Sequence, residues 1–416
     1  MNGGRIARAV LGLTLGASCC LAGAVGPPDG DGRGDGAARR ERSGRRLAPR
    51  GARPGKRSPA SRKRPRRRAG LDRETARIVE EGLAYLACTQ RPDGSWRDRV
   101  GRKVYTSYRG REAPHVGVTA LAGIAFLSSG VVPGGGPGKY VDRDGNLVYG
   151  HQVVEKAVDY VLASTSATGF IHAHGSRMYS HAFGALFLAE AYGTGYSRGG
   201  QLKRGLKRSI DMIVNVQNEE GGWRYRPQAT DSDMSITVCQ VMALRAGRNA
   251  GIDVPKETID SAVRYVRRSF LPGLGAFTYQ LGPEYRGARS RYSFALTAAG
   301  VTTLYGAGEY SANAVIHQAL RYLKLNRPPY TKARYYFDYY YGQYYAVQAF
   351  FQKGDEDFAS WYEDYIKPSL VQLRERVRID GRELSRWTDL VGSNYATAMA
   401  TIILQFPNQY LPITEN

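Results

Sequence analysis

The sequence contains the stretch Gln90-Arg91-Pro92-Asp93-Gly94-Ser95-Trp96 and repeats its pattern as Gln217-Asn218-Glu219-Glu220-Gly221-Gly222-Trp223. Each copy reads as a helix that ends at Gln, a short polar turn that contains Gly, and then a large aromatic residue. Weaker copies keep only the glycine and the aromatic residue; they are Gly169-Phe170, Gly275-Ala276-Phe277 and Gly381 leading to Trp387. We call the aromatic residue of each copy the landmark, and its recurrence predicts a repeat protein.

The landmarks are spaced by a nearly constant interval. Phe170 and Trp223 are 53 residues apart, Trp223 and Phe277 are 54 apart, and Phe277 and Trp387 are 110 apart, which is two intervals. A degenerate copy is therefore expected near residues 330–336. A fixed period of this length indicates stacked supersecondary units that share one core.

Each repeat reads as two helices, and six repeats give twelve. The first helix of each pair is amphipathic and precedes the landmark, at 72–90, 151–164, 202–217, 256–270, 312–325 and 358–374. The second is richer in Ala, Gly, Thr and Leu, as expected of a helix packed on all sides, at 115–129, 178–192, 233–249, 292–305, 337–352 and 394–405. Neither end shows a polar capping helix, so the pattern favours an all-α, closed (α/α)6 toroid over residues 71–416, with six inner and six outer helices. An open solenoid is the alternative.

The residues before the repeats have a different composition. The chain carries a net charge of +22, and residues 26–70 alone hold 16 Lys+Arg against 4 Asp+Glu, with almost no large apolar residues. Residues 25–70 therefore read as a disordered basic linker. Residues 1–24 read as a signal peptide, because Arg5 and Arg8 precede an apolar stretch that ends in Ala22-Gly23-Ala24.

This leader predicts an exported protein, either periplasmic, secreted or associated with the cell envelope. Whether the leader is cleaved, retained or lipidated at Cys19 or Cys20 stays open. The run at residues 62–68 would suit nucleic acid by pattern alone. Export favours anionic lipid or acidic polysaccharide as the partner of the linker instead, and a plain tether is the other interpretation. We expect no specific nucleic acid partner.

The Gln/Gly/Trp copies at 90–96 and 217–223 resemble the repeats of the squalene cyclase and protein prenyltransferase β-subunit superfamily. The resemblance covers residues 71–416, is that of a single-barrel bacterial secreted type, and implies the toroid fold. It also implies a central cavity that binds an apolar ligand such as an isoprenoid.

Two activities of that superfamily can be compared with this sequence. Its cyclases use an Asp-x-Asp-Asp motif, and the corresponding residues here are Asp231-Ser232-Asp233-Met234. By resemblance Asp233 would be the proton donor, but Met234 replaces one carboxylate and only one barrel fits the length. The prenyltransferases hold zinc with an Asp, a Cys and a His, and no Asp-x-Cys occurs in this chain. We therefore expect no metal and no cofactor, and leave catalysis open.

Residues near the starts of the inner helices should converge on the mouth of the toroid. The candidate ligand-binding residues are His115, Tyr179, Tyr292, Asn394, Tyr395 and the landmark Trp223, and the candidate catalytic residues are Asp231, Asp233, Asp338, Tyr340 and His181. One aspartate suffices to cap a helix, so we expect Asp231 to cap and Asp233 to face the cavity. The tyrosine run at 335–345 would supply aromatic walls.

Two further functions remain open at this point. A secreted α/α-barrel polysaccharide lyase or glycosidase would use Tyr340, His181 and Asp338 as general acid and base, with Arg291 or Arg334 neutralising a uronate. A toroid without catalytic activity would bind an apolar or peptide ligand. Composition and spacing do not single out one of the three, because fold alone does not determine function.

Overall fold

Outer and inner helices alternate along the chain in the computed structural model, which describes residues 70–101, 107–196, 198–282, 291–309, 314–333 and 338–408. The outer helices are α1 (Arg73–Thr89), α3 (Gly150–Ala163), α5 (Gln201–Asn215), α7 (Lys256–Arg268), α9 (Ala314–Leu325), and a sixth formed by α11 (Asp355–Trp361), a π-helical turn (Tyr362–Ile366) and α12 (Lys367–Leu373). The inner helices are α2 (Val116–Leu127), α4 (Met178–Gly193), α6 (Met234–Asn249), α8 (Phe294–Gly306), α10 (Tyr339–Lys353) and α13 (Ser393–Leu404). The predicted all-α class is confirmed, and most of the predicted bounds agree within a few residues.

Four short antiparallel hairpins interrupt the helices, and the repeat pattern did not predict them. They are β1 (Arg97–Val100) with β2 (Arg111–Pro114), β3 (Lys139–Val141) with β4 (Leu147–Tyr149), β5 (Phe270–Leu271) with β6 (Ala276–Phe277), and β7 (Glu375–Ile379) with β8 (Arg382–Arg386). Three of the four connect an outer helix to its inner partner. Strand β1 starts one residue after its landmark, β6 ends at one, and β8 stops one residue short of one.

The landmark tryptophans connect the two helices of their own hairpins. The indole N–H of Trp96 donates to the Leu86 carbonyl at the end of α1, and that of Trp223 donates to the Ile213 carbonyl of α5, both at 2.8 Å. The backbone N–H of each tryptophan donates to a threonine hydroxyl on the inner helix that follows. Both rings are buried. Trp223 is therefore a structural residue of its hairpin and does not line the mouth, contrary to the ligand-binding role expected of it.

The glutamine and glycine of the copy at 217–223 join its hairpin to the next outer helix. The Gln217 amide donates to its own turn and also to the Thr258 carbonyl of α7, at 2.9 Å. Gly221 has a φ of +91°, and a Cβ there would lie 2.4 Å from the Ser261 carbonyl oxygen. Only glycine accepts both this backbone conformation and this close approach. The motif is thus a packing device, which explains why it recurs.

The ring closes between its first and last hairpins. Each inner helix contacts the next, and α13 packs against α2. The Gln405 amide donates to the Ala125 carbonyl at 3.0 Å, and the backbone N–H of Tyr395 donates to the Asp98 carboxylate at 2.7 Å. The (α/α)6 toroid is therefore confirmed as a closed ring.

The inner helices form the core. All twelve residues of α2 are buried, and residues from all six inner helices belong to one apolar cluster. None of the helices in the described part of the chain has the length and apolar character needed to cross a membrane. The signal-peptide and linker predictions concern residues that lie outside the described ones, apart from Gly70.

Candidate functional site

Tyrosines of α10 cross the centre of the ring. The Tyr341 hydroxyl donates to the Ser235 carbonyl of α6 at 2.9 Å, and the Tyr345 hydroxyl lies 3.3 Å from the Cys239 sulfur. The Tyr344 ring meets Phe183 of α4 edge to face. These contacts connect helices that are not neighbours in the ring, so the centre is filled by aromatic side chains. Residues 335–337 of the tyrosine run lie outside the described residues.

A recess remains where the inner helices begin. His115, Tyr179, Tyr341 and Tyr395 all lie deep in the protein, yet each keeps accessible surface. Side chains with this combination line an inward-facing hollow rather than the outer surface. We call it the mouth recess. It brings together three of the predicted ligand-binding residues with Tyr341 of the tyrosine run.

Asp233 is fully buried beside this recess and caps α6. Its Oδ1 accepts from the backbone N–H of Ile236 at 2.9 Å and from the Ser235 hydroxyl at 2.6 Å. Asp231 instead lies half exposed and pairs with Arg224 at 2.6 Å. The expected division of roles is therefore corrected, because the aspartate next to the helix is the one whose carboxylate reaches the free N–H groups of the first turn.

Phenols and guanidinium groups surround the other oxygen of Asp233. Its Oδ2 lies 3.4 Å from the Tyr279 hydroxyl, which in turn lies 2.5 Å from the Tyr225 hydroxyl. The Nε of Arg224 is 3.7 Å from Oδ2. Arg224 and Arg177 both stack on the Tyr225 ring, at 5.3 and 5.6 Å from its centroid. The arrangement continues outward from the recess as a cluster of tyrosine rings and arginines.

Burial sets the charge state of this cluster. It raises the pKa of Asp233 to about 6, although the bonds from Ser235 and Ile236 and the charge of Arg224 act in the opposite direction. Burial also raises the pKa of the Cys239 thiol to about 11 and holds the pKa of Tyr179 and Tyr341 well above the usual range. Near neutral pH the phenols and the thiol are uncharged, and Asp233 is the group that titrates.

His115 contributes a neutral imidazole to the mouth recess. Its Nδ1 accepts from the backbone N–H of Val118 at 3.3 Å and so caps α2. Burial lowers the pKa of His115 to about 4. A neutral imidazole that accepts at Nδ1 carries its proton on Nε2, so the other ring nitrogen is a hydrogen-bond donor.

His181 and Tyr292 do not join the recess. His181 is fully buried, accepts from the backbone N–H of Ile171 at 3.1 Å, and has its pKa lowered to about 3 by burial. It holds the turn before α4 as an uncharged residue and does not reach the mouth, contrary to the role of general acid or base expected of it. Tyr292 precedes α8, is exposed, and packs edge-on against Tyr322 of the outer helix α9.

The remaining candidates lie in two places. One is the seam, our name for the contacts between the first and last hairpins that close the ring, and the other is the start of α10. Asn394 accepts from the Thr89 hydroxyl at 2.8 Å and donates to the Arg97 carbonyl at 2.9 Å, which ties α13 to the first hairpin. Tyr340 is 1% exposed and packs on Tyr339. Asp338 is half buried at the start of α10, makes no cap bond to that helix, and has its pKa raised by burial. Arg291 is exposed, and Arg334 lies outside the described residues.

Sequence reasoning missed several polar residues of the mouth, and a positional signal could have found them. The second residue after each recognised landmark is polar; these residues are Asp98, His172, Tyr225, Tyr279 and Asp389. Tyr225 and Tyr279 belong to the Asp233 cluster. Asp98 and Asp389 are buried at the start of α13, where they accept backbone N–H bonds from Tyr395 and Gly392. The repeat therefore predicts where polar residues of the mouth stand, two residues after each landmark, as well as the fold.

The described residues contain no group of three or more His, Cys, Asp or Glu arranged to hold a metal ion. Cys88 and Cys239 are both free and buried.

Known proteins resemble this chain in fold, but no relative was found by sequence. No family model matches the chain. No curated protein matches it either. Among solved structures, a GH76A α-1,6-mannanase from Salegentibacter sp. HEL1_6 is similar with a TM-score of 0.55 and 8% identity, over 80% of this chain and 97% of the mannanase. A glycoside hydrolase family 76 mannosidase from Bacteroides thetaiotaomicron VPI-5482 has a TM-score of 0.50 and 10% identity, over 80% and 96%.

A type II terpene cyclase from Scytonema, solved with merosterolic acid A, has a TM-score of 0.49 and 11% identity, over 80% of this chain and 95% of the cyclase. The similarity to the mannanase and the mannosidase, at 8% and 10% identity, shows the fold alone. The chain is thus an α/α toroid protein with a tyrosine-lined mouth, and its particular activity has to be argued from the mouth itself.

Proposed function

We propose that the mouth recess binds an apolar small molecule, such as an isoprenoid, against its tyrosine rings. The observation that carries this proposal is that the hydroxyls of Tyr179 and Tyr341, and those of the adjoining Tyr225 and Tyr279, are already occupied. The Tyr179 hydroxyl lies 2.6 Å from the Ser235 hydroxyl, Tyr341 donates to the Ser235 carbonyl, and Tyr225 and Tyr279 bond to each other. The ring faces are then the free surface that a ligand meets, and such faces favour apolar or cationic groups.

Binding has better support than acid catalysis at Asp233. The carboxyl group has no exposed surface, and its Oδ1 holds two short bonds. A proton would have to leave from Oδ2 through Tyr279 or a displaced neighbour. The absence of a carboxylate at the fourth position of the motif, where Met234 stands, points the same way. We infer that Asp233 positions the surrounding phenols by fixing the first turn of α6.

A carbohydrate-active enzyme is the second candidate, and Asp338 is the observation that favours it. Its carboxyl group is half buried at the ring mouth without a capping role, and burial raises its pKa. A carboxyl group in this state can act as a general acid for glycosidic bond cleavage. The partners first proposed for it, Tyr340 and His181, are buried in packing roles, so this function needs a different second group.

That the protein is exported stays a proposal based on its first 24 residues.

Isothermal titration calorimetry with geranylgeraniol and with α-1,6-mannobiose distinguishes the two candidates. If apolar binding is correct, geranylgeraniol binds, Tyr179→Ala weakens it more than tenfold, and Tyr179→Phe changes it less than twofold, because the ring and not the hydroxyl makes the contact. Tyr149→Ala is the matched control, since Tyr149 is exposed on β4. Binding of mannobiose with a large loss in Tyr179→Phe, and none of geranylgeraniol, would overturn the apolar proposal.

Catalysis is tested separately by incubating the protein with the prenol and analysing extracts by mass spectrometry. We expect the prenol to be recovered unchanged with the wild type and with Asp233→Asn. A cyclised product from the wild type alone would instead assign the proton-donor role to Asp233.

A further inference from the structure

The outward face of α5 is strongly basic. It presents Lys203, Arg204, Lys207 and Arg208, and the helix has a single acidic residue, Asp211. Asp211 pairs with Lys207 at 2.7 Å. Within the described residues, the side chains of Lys203, Arg204 and Arg208 form no ion pair, and all three are exposed. We call these four residues the basic face. It runs along a helix about 22 Å long.

An open groove of about 590 Å³ adjoins the start of this helix. Tyr196, Arg198, Gln201 and Arg204 line it. Two bonds to the Asp159 carboxylate hold the Arg198 guanidinium, at 3.0 Å from its Nε and 2.5 Å from its Nη2. Arg198 itself has a φ of +49°, an uncommon backbone state for a residue with a side chain. The groove therefore combines an aromatic ring, an amide, the ion pair of Arg198 with Asp159, and the cation of Arg204.

The charge of the outer wall differs around the ring. The sixth outer helix, from α11 to α12, carries five acidic residues and one lysine over Asp355–Leu373. It belongs to the sixth hairpin and α5 to the third, so the two lie opposite each other in a closed ring of six. The basic face is thus one pole of a charge asymmetry, which would orient the protein toward a negatively charged partner.

We propose that the groove and the basic face form a second binding site, for an acidic polysaccharide that carries uronate or sulfate groups. Arginines recognise such anions by paired hydrogen bonds, and the Tyr196 ring offers a stacking surface for a sugar. The site is separate from the mouth recess and does not depend on the function proposed for it.

The buried face of α5 argues against a membrane as the partner. Leu202, Leu206 and Ile210 have no exposed surface, since they pack into the core. Helices that lie in a membrane interface insert their apolar face into the lipid, and α5 has none to insert. The amide and the ring that line the groove favour a sugar chain over a lipid surface.

Hydrogen–deuterium exchange of the full chain, with and without an oligogalacturonate, locates the binding. The basic residues before position 70 also attract polyanions, so a local readout is needed. We expect exchange to slow over residues 194–204 in the wild type, and the effect to be lost in the double variant Arg204→Gln with Arg208→Gln. The control pair Arg73→Gln with Arg321→Gln removes the same charge from exposed positions on α1 and α9, and should keep the protection.

Fluorescence anisotropy with the labelled oligomer then gives the size of the effect. The Arg204/Arg208 variant should bind at least fivefold more weakly than the control pair at the same ionic strength. Equal weakening in the two pairs, or no local protection, would overturn the site. Stronger protection of 194–204 by anionic lipid vesicles or by duplex DNA than by the oligogalacturonate would overturn the choice of ligand.

Discussion

The starts of α6 and α13 each hold a buried aspartate, and they differ in what surrounds it. At α6, Asp233 caps its own helix and faces Tyr279 and Arg224. At α13, Asp98 arrives from β1, accepts the backbone N–H of Tyr395, and packs against Gly392. Burial raises the pKa of both carboxyl groups. Burial and a raised pKa therefore do not by themselves identify a functional site.

The neighbours make the distinction. The Asp98 carboxylate connects the first hairpin to the last, so it holds the seam at which the ring closes. The Asp233 carboxylate connects two residues of its own helix and meets phenols whose rings border a recess. The same residue type in the same kind of position serves closure in one region and the mouth in the other.

The largest effect is expected at the seam, from Gly392→Ala. A Cβ at this position would lie 1.9 Å from the Asp98 Oδ1, so the substitution must displace the carboxylate that joins β1 to α13. We expect the free energy of unfolding to fall by about 3 kcal/mol or more, measured by urea denaturation.

Gly273→Ala is the control for this substitution. A Cβ there meets nothing within 4 Å. Its effect should stay within about 0.5 kcal/mol. Equal stability of the two variants would show that the seam does not depend on the Asp98 contact.

The next largest effect is the pH dependence of stability that Asp233 produces. Because burial raises its pKa from 3.8 to about 6, the folded protein holds this proton more tightly than the unfolded chain does. The resulting stabilisation is complete below pH 3.8 and is lost as the pH rises through about 6. Relative to wild type, Asp233→Asn should therefore gain about 3 kcal/mol between pH 3.5 and pH 7.5.

Unfolding curves at several pH values check this prediction. Asp231→Asn provides the comparison, since Asp231 lies half exposed two residues away. We expect the difference from wild type to change more with pH for Asp233→Asn than for this control, because only Asp233 is fully buried. A difference for Asp233→Asn that does not change with pH would place the titration of Asp233 at an ordinary pKa.

The smallest effects should be the same in both regions. Trp223→Phe and Trp387→Phe each remove an indole N–H that bonds to a helix carbonyl, Ile213 in one case and Leu370 in the other. Each should lower the free energy of unfolding by about 2 kcal/mol, because a buried carbonyl loses its partner. Thermal unfolding would show this as a lower melting temperature. Affinity for the mouth ligand should not change. A weaker ligand affinity in Trp223→Phe alone would show that Trp223 contributes to ligand binding after all.

Much of the fold followed from local patterns in the sequence. The landmark glycines have a positive φ, and four of the five, such as Gly221, also make a close contact that a Cβ would block. The apolar character of the inner helices matches their burial. Such requirements act over a few residues, so they are visible as a period. The short hairpins β1–β8 were not visible, because strands of two to five residues have too little pattern of their own.

The site was less predictable for a related reason. His115, Tyr179, Tyr395 and Asp233 were found because they stand at inner-helix starts. Arg177, Arg224, Tyr225 and Tyr279 were missed because they lie in the connections before those helices. His181 stands at a helix start as well, yet its ring points to the turn at Ile171. Position along a helix does not determine the direction of a side chain relative to the axis of the ring.

By itself, the sequence determined six helix pairs and their order and favoured a closed ring over an open solenoid, because glycine conformation and apolar periodicity are local properties of a chain. Only the tertiary structure decided which aspartate caps α6 and which tyrosines meet across the centre. It also decided that the Asp98 carboxylate holds the seam while the Asp233 carboxylate meets the phenols of the mouth. Those outcomes depend on contacts between residues far apart in sequence, such as Tyr341 with Ser235 and Tyr395 with Asp98. Such contacts arise only after the ring has closed.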